Sequence, residues 1–225
     1  TLLAENAEGY KNICELTTRA HMDPPERPGP NGVLPALDPS LLKDHASGVI
    51  CLSGCRHGEI SELVLVGRLG EARRLAAQYR DWFGADNFFI ELQQNLVLDD
   101  TERNRLMAGI GSDLGIPIVA TNNAHYHLRE RSHLNDVLVA IQHNKSLEET
   151  HRERRANDQF YLKPPDEMAS LFAAYPEAIE NTVRIADRCD FDLTSAKVYD
   201  FPDYDVPEGH TQTSWLRKLC EEADR

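Results

Sequence analysis

"IPIVATNNAHYH", residues 116–127, decides how this chain folds. A short apolar, β-branched run stops abruptly at two asparagines, two histidines and a tyrosine packed into six positions. Such a run, bounded by a polar cluster, reads as a buried strand whose carboxyl end meets solvent. Two comparable runs precede it: "GVICLSG" (48–54) as a first buried strand and "NFFIELQ" (87–93) as a second. Helical stripes fill the intervals. "EARRLAAQYRDWF" sets Ala72, Leu75, Ala76, Tyr79, Trp82 and Phe83 on one face, with Gly84 as the expected cap. "TERNRLMAGIGSDLG" aligns Leu106, Met107, Ile110 and Leu114 after the candidate caps Asp99 and Asp100. "RSHLNDVLVAIQH" supplies a third helix through Leu134, Val137, Leu138 and Ile141.

Apolar strands that alternate with helices predict a parallel sheet covered on its faces, either doubly wound or part of an α/β barrel. In both architectures chemistry gathers at the carboxyl ends of the strands. The places to examine are therefore "SGCRHGE" (53–59), "QQN" (93–95) and "NNAHYH" (122–127). Outside this centre, a helix is expected near residues 7–20. "MDPPERPGPNGVLPALDP" (22–39) then holds six of the twelve prolines and reads as a long exposed loop. "YPEAIENTVRIADRC" reads as helical from Pro176, with Ile179, Val183 and Ala186 inward. "TSAKVYDFPDYDVPEGH" (194–210) reads as an extended linker into a last helix, "TSWLRKLCEEADR". There is no internal sequence repeat.

The 225 residues, 41% hydrophobic, suffice for one large domain or a domain with a tail. No apolar run approaches the ~20 residues that span a bilayer, and the start has no signal-like character, so neither membrane insertion nor export is expected. The chain opens inside an apolar phrase without a methionine and is expected to be a piece of something longer. Five scattered cysteines with no CxxC spacing argue against a disulfide framework, and the expected compartment is the reducing cytoplasm. A net charge of −13 makes the chain alone a poor DNA binder. The local exception, "HRERRAND" (151–158), reads as a solvated basic segment, with contact to a phosphate or an acidic partner as the alternative.

His125 lies just past a strand end with Asn123 two residues before it. An aspartate there would pair carboxylate and imidazole on a hard, phosphate-binding metal such as Mn²⁺ or Zn²⁺. The asparagine carbonyl is neutral and stabilises a dication less. Composition alone favours a polar turn over a metal site. Cys55, in the turn after the first strand, offers a thiolate for zinc, but a lone cysteine is more often a small hydrophobe; Cys51 belongs to the core. His57, His127 and His133 read as solvent-facing or, at most, as supports for a ligand. Glu91, a polar residue in an apolar strand, either points into a barrel mouth or pairs with a neighbouring helix. No Gly-rich phosphate loop, GxSxG or HExxH is present, which leaves free-standing nucleotide or protease chemistry without a basis.

Taken in order, "LLAENAEGYKNICELTTRAH", "CLSGCRHGEI", "FGADNFFIELQQN", "IPIVATNNAHYH", "DVLVAIQHNKSLEE", "FYLKPPDEMASLFAAYPEAIENTVRIADRC" and "VPEGHTQTSWLRKLCEEA" resemble the N-terminal region of bacterial DNA polymerase III alpha subunits, the C-family polymerases. The wording of "SGCRHG" and "ATNNAHY" resembles the error-prone, translesion branch more closely. The resemblance implies a PHP (polymerase and histidinol phosphatase) domain over residues 1–193, an α/β barrel of distorted form with parallel strands and its N-terminal part missing. Residues 194–225 would be the linker and first helix towards the polymerase core. It further implies that Cys55, Asn123 and His125 match family metal-ligand positions, for Zn or Mn, with the family's aspartate replaced by Asn123. The family's earlier H-x-H, D-H and Glu/His ligands fall before the position matching Thr1, and its polymerase aspartates fall beyond Arg225. No catalytic or cofactor-binding residue is therefore expected within the chain.

Two functions from different classes follow from the resemblance. In the favoured one the parent carries out template-directed DNA synthesis in replication or translesion repair, using DNA, dNTPs and Mg, with replication or repair accessory proteins as partners. This domain is then mainly structural and its metal site weakened. In the other the domain is a working metal-dependent phosphoesterase that proofreads as a 3′–5′ exonuclease. A stand-alone PHP phosphatase, such as a histidinol phosphatase, is disfavoured by the polymerase-like tail.

Overall fold

The apolar runs fold as adjacent strands of one sheet. The computed structural model describes residues 1–22, 28–29, 32–33, 35–194 and 205–223. Strand β1 (Leu2–Ala4) leads into helix α1 (Ala7–Met22), the short antiparallel pair β2 (Pro28–Gly29) and β3 (Gly32–Val33), and helix α2 (Leu41–Asp44). Next come β4 (Val49–Leu52), α3 (Glu59–Leu65), α4 (Leu69–Phe83), β5 (Phe88–Gln93), α5 (Asp100–Leu114) and β6 (Ile118–Thr121). A 3-10 turn at Arg129–Arg131 precedes α6 (Ser132–His143), α7 (Pro165–Leu171), α8 (Pro176–Arg188) and α9 (Gln212–Ala223). The chain divides into one compact unit, Thr1–Phe191, and a second, Asp192–Arg225. Much of the proline-rich stretch 22–39 and residues 195–204 of the expected linker lie outside the described residues.

The main sheet has the order β1-β4-β5-β6, with β4, β5 and β6 parallel and β1 antiparallel along the edge of β4. Every residue of β4 and β5 is buried, as strands covered on both faces require. Alternation sorts their side chains between two layers. Val49, Cys51, Phe88, Ile90 and Leu92 pack with Ile60 and Val64 of α3, Ala72 and Ala76 of α4 and Met107 and Ile110 of α5. Ile50, Leu52, Phe89 and Val119 face the other way, onto Ile185 of α8. The unit's first and last elements meet: Arg188 donates to the Glu5 carboxylate at 2.9 Å, and the Asp190 N–H donates to the Glu5 carbonyl at 3.0 Å. Among the described residues, no helix is long and apolar enough to cross a membrane.

Two helices present faces other than those expected. In α8 the buried residues are Ala178, Asn181 and Ile185, whereas Val183 and Ala186 are exposed and Ile179 is half-buried. The helix lays its small side chains on β6, and the Asn181 amide donates to the Ile118 carbonyl at 2.8 Å, which satisfies a backbone acceptor of that strand. In α6 the predicted apolar stripe exists but is left exposed among the described residues. Leu134, Val137, Leu138 and Ile141 are between 39% and 68% exposed, and only Ala140 is buried.

Cys51, expected in the core, is there. Burial first, and the Glu91 carboxylate as a smaller contribution, push its thiol from its ordinary value of 9 up to about 12, against an opposing effect of the Thr1 amino group. The folded chain thus holds a proton that the unfolded chain releases. Stability contributed by the neutral thiol is present below pH 9 and is lost as pH rises from there towards 12. At pH 8 a thiol reagent is expected to modify the exposed Cys14 and Cys220 rapidly and Cys51 only after denaturation. Fast labelling of Cys51 in the native protein, read by peptide mass mapping, would contradict this placement.

Candidate functional site

The carboxyl ends of β4, β5 and β6 open into three polar loops, and Glu91 ties them together. Its side chain, 7% exposed, accepts from the Gly54 N–H at 3.0 Å, from the Gln93 amide at 2.7 Å and from the Thr121 hydroxyl. Its own N–H donates to the Ser53 hydroxyl at 2.8 Å. Of the two alternatives the sequence left open for Glu91, neither describes it fully: the glutamate laces three strand ends to one another. One layer further, Asp100 and Arg103 form a buried pair at 3.1 Å. Asp100 is not a side-chain cap for α5. It turns back to accept the N–H groups of Asn95 at 2.9 Å and Val97 at 3.1 Å, which shapes the loop after β5. Burial pulls the Arg103 guanidinium below its ordinary value, and Asp100 opposes that shift.

An amide network holds residues 157–163 over the mouth of β5 and β6. The Asn95 side chain donates to the Asn122 and Gln159 carbonyls at 3.1 and 3.2 Å. The Asn122 side chain donates to the Tyr161 carbonyl at 2.7 Å, and the Asn157 side chain donates to the Asn95 carbonyl at 2.8 Å. Buried Lys163 donates to the Gln159 carbonyl and to Asn122 Oδ1. Asn122, the first asparagine of the opening motif, is thus a structural clamp.

Cys55 sits half-buried in the turn after β4, where the Gly58 N–H closes onto its carbonyl at 2.8 Å. Asn123 adopts a left-handed conformation, φ +46°, which asparagine tolerates better than most residues. That turn carries the chain to His125, whose N–H donates to the Phe160 carbonyl at 2.7 Å. The imidazole packs edge-on against Phe160, centroids 6.0 Å apart, and its Nδ1 lies 3.5 Å from the Arg155 guanidinium. Partial burial first, then the Arg155 charge, lower the imidazole from its ordinary value, although the residue stays exposed to solvent. His57, His127 and His133 are exposed, the first of the two expectations for them, and His125 too retains solvent exposure.

These donors do not suit a tightly held dication. Asn123 offers a neutral oxygen, His125 faces a permanent cation, and the Glu91 carboxylate is engaged by three donors. Among the described residues, no group of three or more His, Cys, Asp or Glu side chains is placed to hold a metal ion. Glu91, Asp100, Arg103 and Lys163 are the residues that sequence reasoning left unresolved or passed over. Their one local signal is polarity next to an apolar run.

A parallel sheet with its polar cluster at the strand mouths defines an α/β class, and comparison narrows it: residues 1–95 match the PHP domain family. Along almost its whole length the chain is homologous to DNA polymerase III alpha subunits. It is 37% identical over 231 residues to the error-prone DNA polymerase of Symbiobacterium thermophilum, covering 97% of this chain and 21% of that protein. It is 37% identical over 221 residues to the DNA polymerase III subunit alpha of Treponema pallidum, covering 97% and 18% respectively. The corresponding subunit of Thermus aquaticus is 36% identical over 229 residues, with the same coverage. The chain therefore spans about a fifth of the length of the curated relatives it matches. Equal identity to error-prone and replicative relatives does not separate the two branches.

Proposed function

We propose that this chain is the PHP region of a bacterial DNA polymerase III alpha subunit and acts there mainly as a scaffold. The longer protein carries out template-directed DNA synthesis in replication or translesion repair in the cytoplasm, with DNA, dNTPs and Mg²⁺ engaged outside this region. In this reading residues 1–193 are the PHP domain, whose strands belong to a barrel of distorted form, and residues 194–225 lead towards the polymerase core. Cys55, Asn123 and His125 mark a weakened metal position, where zinc or manganese would at most supply a Lewis acid.

The observation that carries the scaffold role is the uncovered face of α6. Four large apolar side chains on one helix are a docking surface rather than a solvated one. A cleft of about 220 Å³ between this helix and His125–His127 continues that surface. Since the relatives are about five times longer, the occupant is the remaining body of the same polypeptide. In the intact polymerase, Leu138→Asp combined with Ile141→Asp is expected to reduce primer extension at least severalfold and to lower the melting temperature. His125→Ala and Cys55→Ser are expected to leave extension unchanged. Metal-dependent removal of 3′-terminal nucleotides that disappears with His125→Ala would establish the phosphoesterase reading instead.

A further inference from the structure

We infer that Arg155 stands in the place of a metal ion beside His125, so that the mouth of β6 is closed by a cation belonging to the chain itself. This rests on the reading of a weakened metal position given above. The guanidinium lies 3.5 Å from His125 Nδ1 and 5.4 Å from the centroid of the Phe160 ring. Backbone pairing fixes two of the three partners. His125 donates to the Phe160 carbonyl, Tyr126 and Tyr161 form a parallel bridge, and the Leu162 N–H donates to the Tyr126 carbonyl at 3.1 Å.

Arg155, like Arg152 and Arg131, enters no ion pair among the described residues, whereas two other nearby arginines do. Arg154 pairs with Asp136 at 3.1 Å and Arg129 with Asp158 at 2.8 Å. Among the described residues, Arg155 has no carboxylate within ion-pair distance, although the chain carries 37 acidic residues against 24 Lys and Arg. What sets Arg155 apart is its placement against the imidazole and the Phe160 ring.

The contact opposes a metal in two ways. A guanidinium donates hydrogen bonds and accepts none, so the 3.5 Å contact fits the tautomer in which Nδ1 accepts and the ring proton is on Nε2. In that tautomer neither ring nitrogen presents a free lone pair. A metal-bound histidine is arranged oppositely, donating its second N–H to a carboxylate or carbonyl. A dication at the usual distance of about 2.0–2.1 Å from the imidazole would also meet a fixed positive charge, and Asn123 contributes no negative charge to offset it. In its place, the guanidinium links the β6 loop to the segment that Phe160 anchors, independently of metal supply.

Zinc titration of the intact protein and its variants tests this. Wild type is expected to show no zinc binding that disappears on His125→Ala. Arg155→Ala is expected to create such binding, at least roughly tenfold tighter than in wild type, as removal of a neighbouring unit charge implies. Arg155→Lys, which keeps the charge, is expected to restore the exclusion. If Arg155→Ala and wild type bind zinc equally weakly at His125, the role of Arg155 fails while the weakened-site reading stands. If wild type binds stoichiometric zinc that is lost with His125→Ala and with Cys55→Ser, both fail.

Discussion

Replacement of Asp100 by alanine is expected to lower the free energy of unfolding by about 3–5 kcal/mol. Asp100 and Arg103 are 3% and 5% exposed, and their ion pair is 3.1 Å long. Removing the carboxylate takes the counter-charge from the buried Arg103 guanidinium and also from the half-buried Arg56, 3.7 Å from the same oxygen. It also strips the acceptor from the N–H groups of Asn95 and Val97, each a further cost of about 1 kcal/mol or more. An asparagine side chain would keep an acceptor oxygen for those N–H groups, so Asp100→Asn should lose less than Asp100→Ala. Pairing Asp100→Ala with Arg103→Leu should recover part of the loss, because it removes the buried unpaired charge and leaves only the half-buried Arg56, which water reaches. Urea unfolding measures all three. A loss below about 1 kcal/mol for Asp100→Ala would show that the pair is not buried as described.

Gly9→Ala is expected to cost about 3 kcal/mol or more, at the upper end for overpacking, and to lower the melting temperature by roughly 6–12 °C. A Cβ at this position would lie 1.7 Å from the Gly48 carbonyl oxygen and 2.5 Å from its carbon. The obstacle is backbone, and that backbone is held on both sides. The Glu5 N–H donates to the same carbonyl at 2.9 Å, and Gly48 itself has φ +67° with Asn6 against it. Helix α1 would have to move off the loop before β4. Gly109 in α5 is the internal control, since a Cβ there meets nothing within 4 Å. Gly109→Ala should stabilise by about 0.5–1 kcal/mol through helix propensity. Similar melting temperatures for the two variants would refute the steric account.

The strands were legible because a doubly covered sheet needs uninterrupted apolar runs, and three such runs stand out between helical stripes. What periodicity missed has identifiable causes. In α8 the larger apolar residues Ile179 and Val183 dominate the pattern, but close packing on β6 selected the small Ala178 and the hydrogen-bonding Asn181. In α6 the stripe is present as the spacing predicts, yet its cover is absent from the described residues. At the site, local spacing pointed to Asn123 and His125 and could not reveal the partners that define them. Glu91 draws on Gly54 and Thr121, 37 and 30 residues away, and Arg155 reaches His125 across 30. Asp100 looked like a cap because capping is local, whereas its buried partners are set by how the loop after β5 returns. Arg155 lay inside a basic segment that read as solvated, since nothing in its neighbourhood of sequence announces an aromatic ring and an imidazole.

The Arg188–Glu5 contact has a bearing on how the chain is made. It joins residues 183 positions apart, and Asp190 adds a backbone hydrogen bond to the same glutamate. Closing so long a loop costs only slightly more entropy than closing a shorter one, because the penalty grows with the logarithm of length. Timing is affected more. At about 5–20 residues per second of synthesis, the first strand waits on the order of ten seconds or longer before α8 leaves the ribosome. During that interval the parallel strands can pair, but the layer formed by Ile50, Leu52, Phe89 and Val119 lacks Ile185. The nascent unit thus carries one unsealed apolar face until its last helix arrives, and that window is when chaperone binding or aggregation competes with folding.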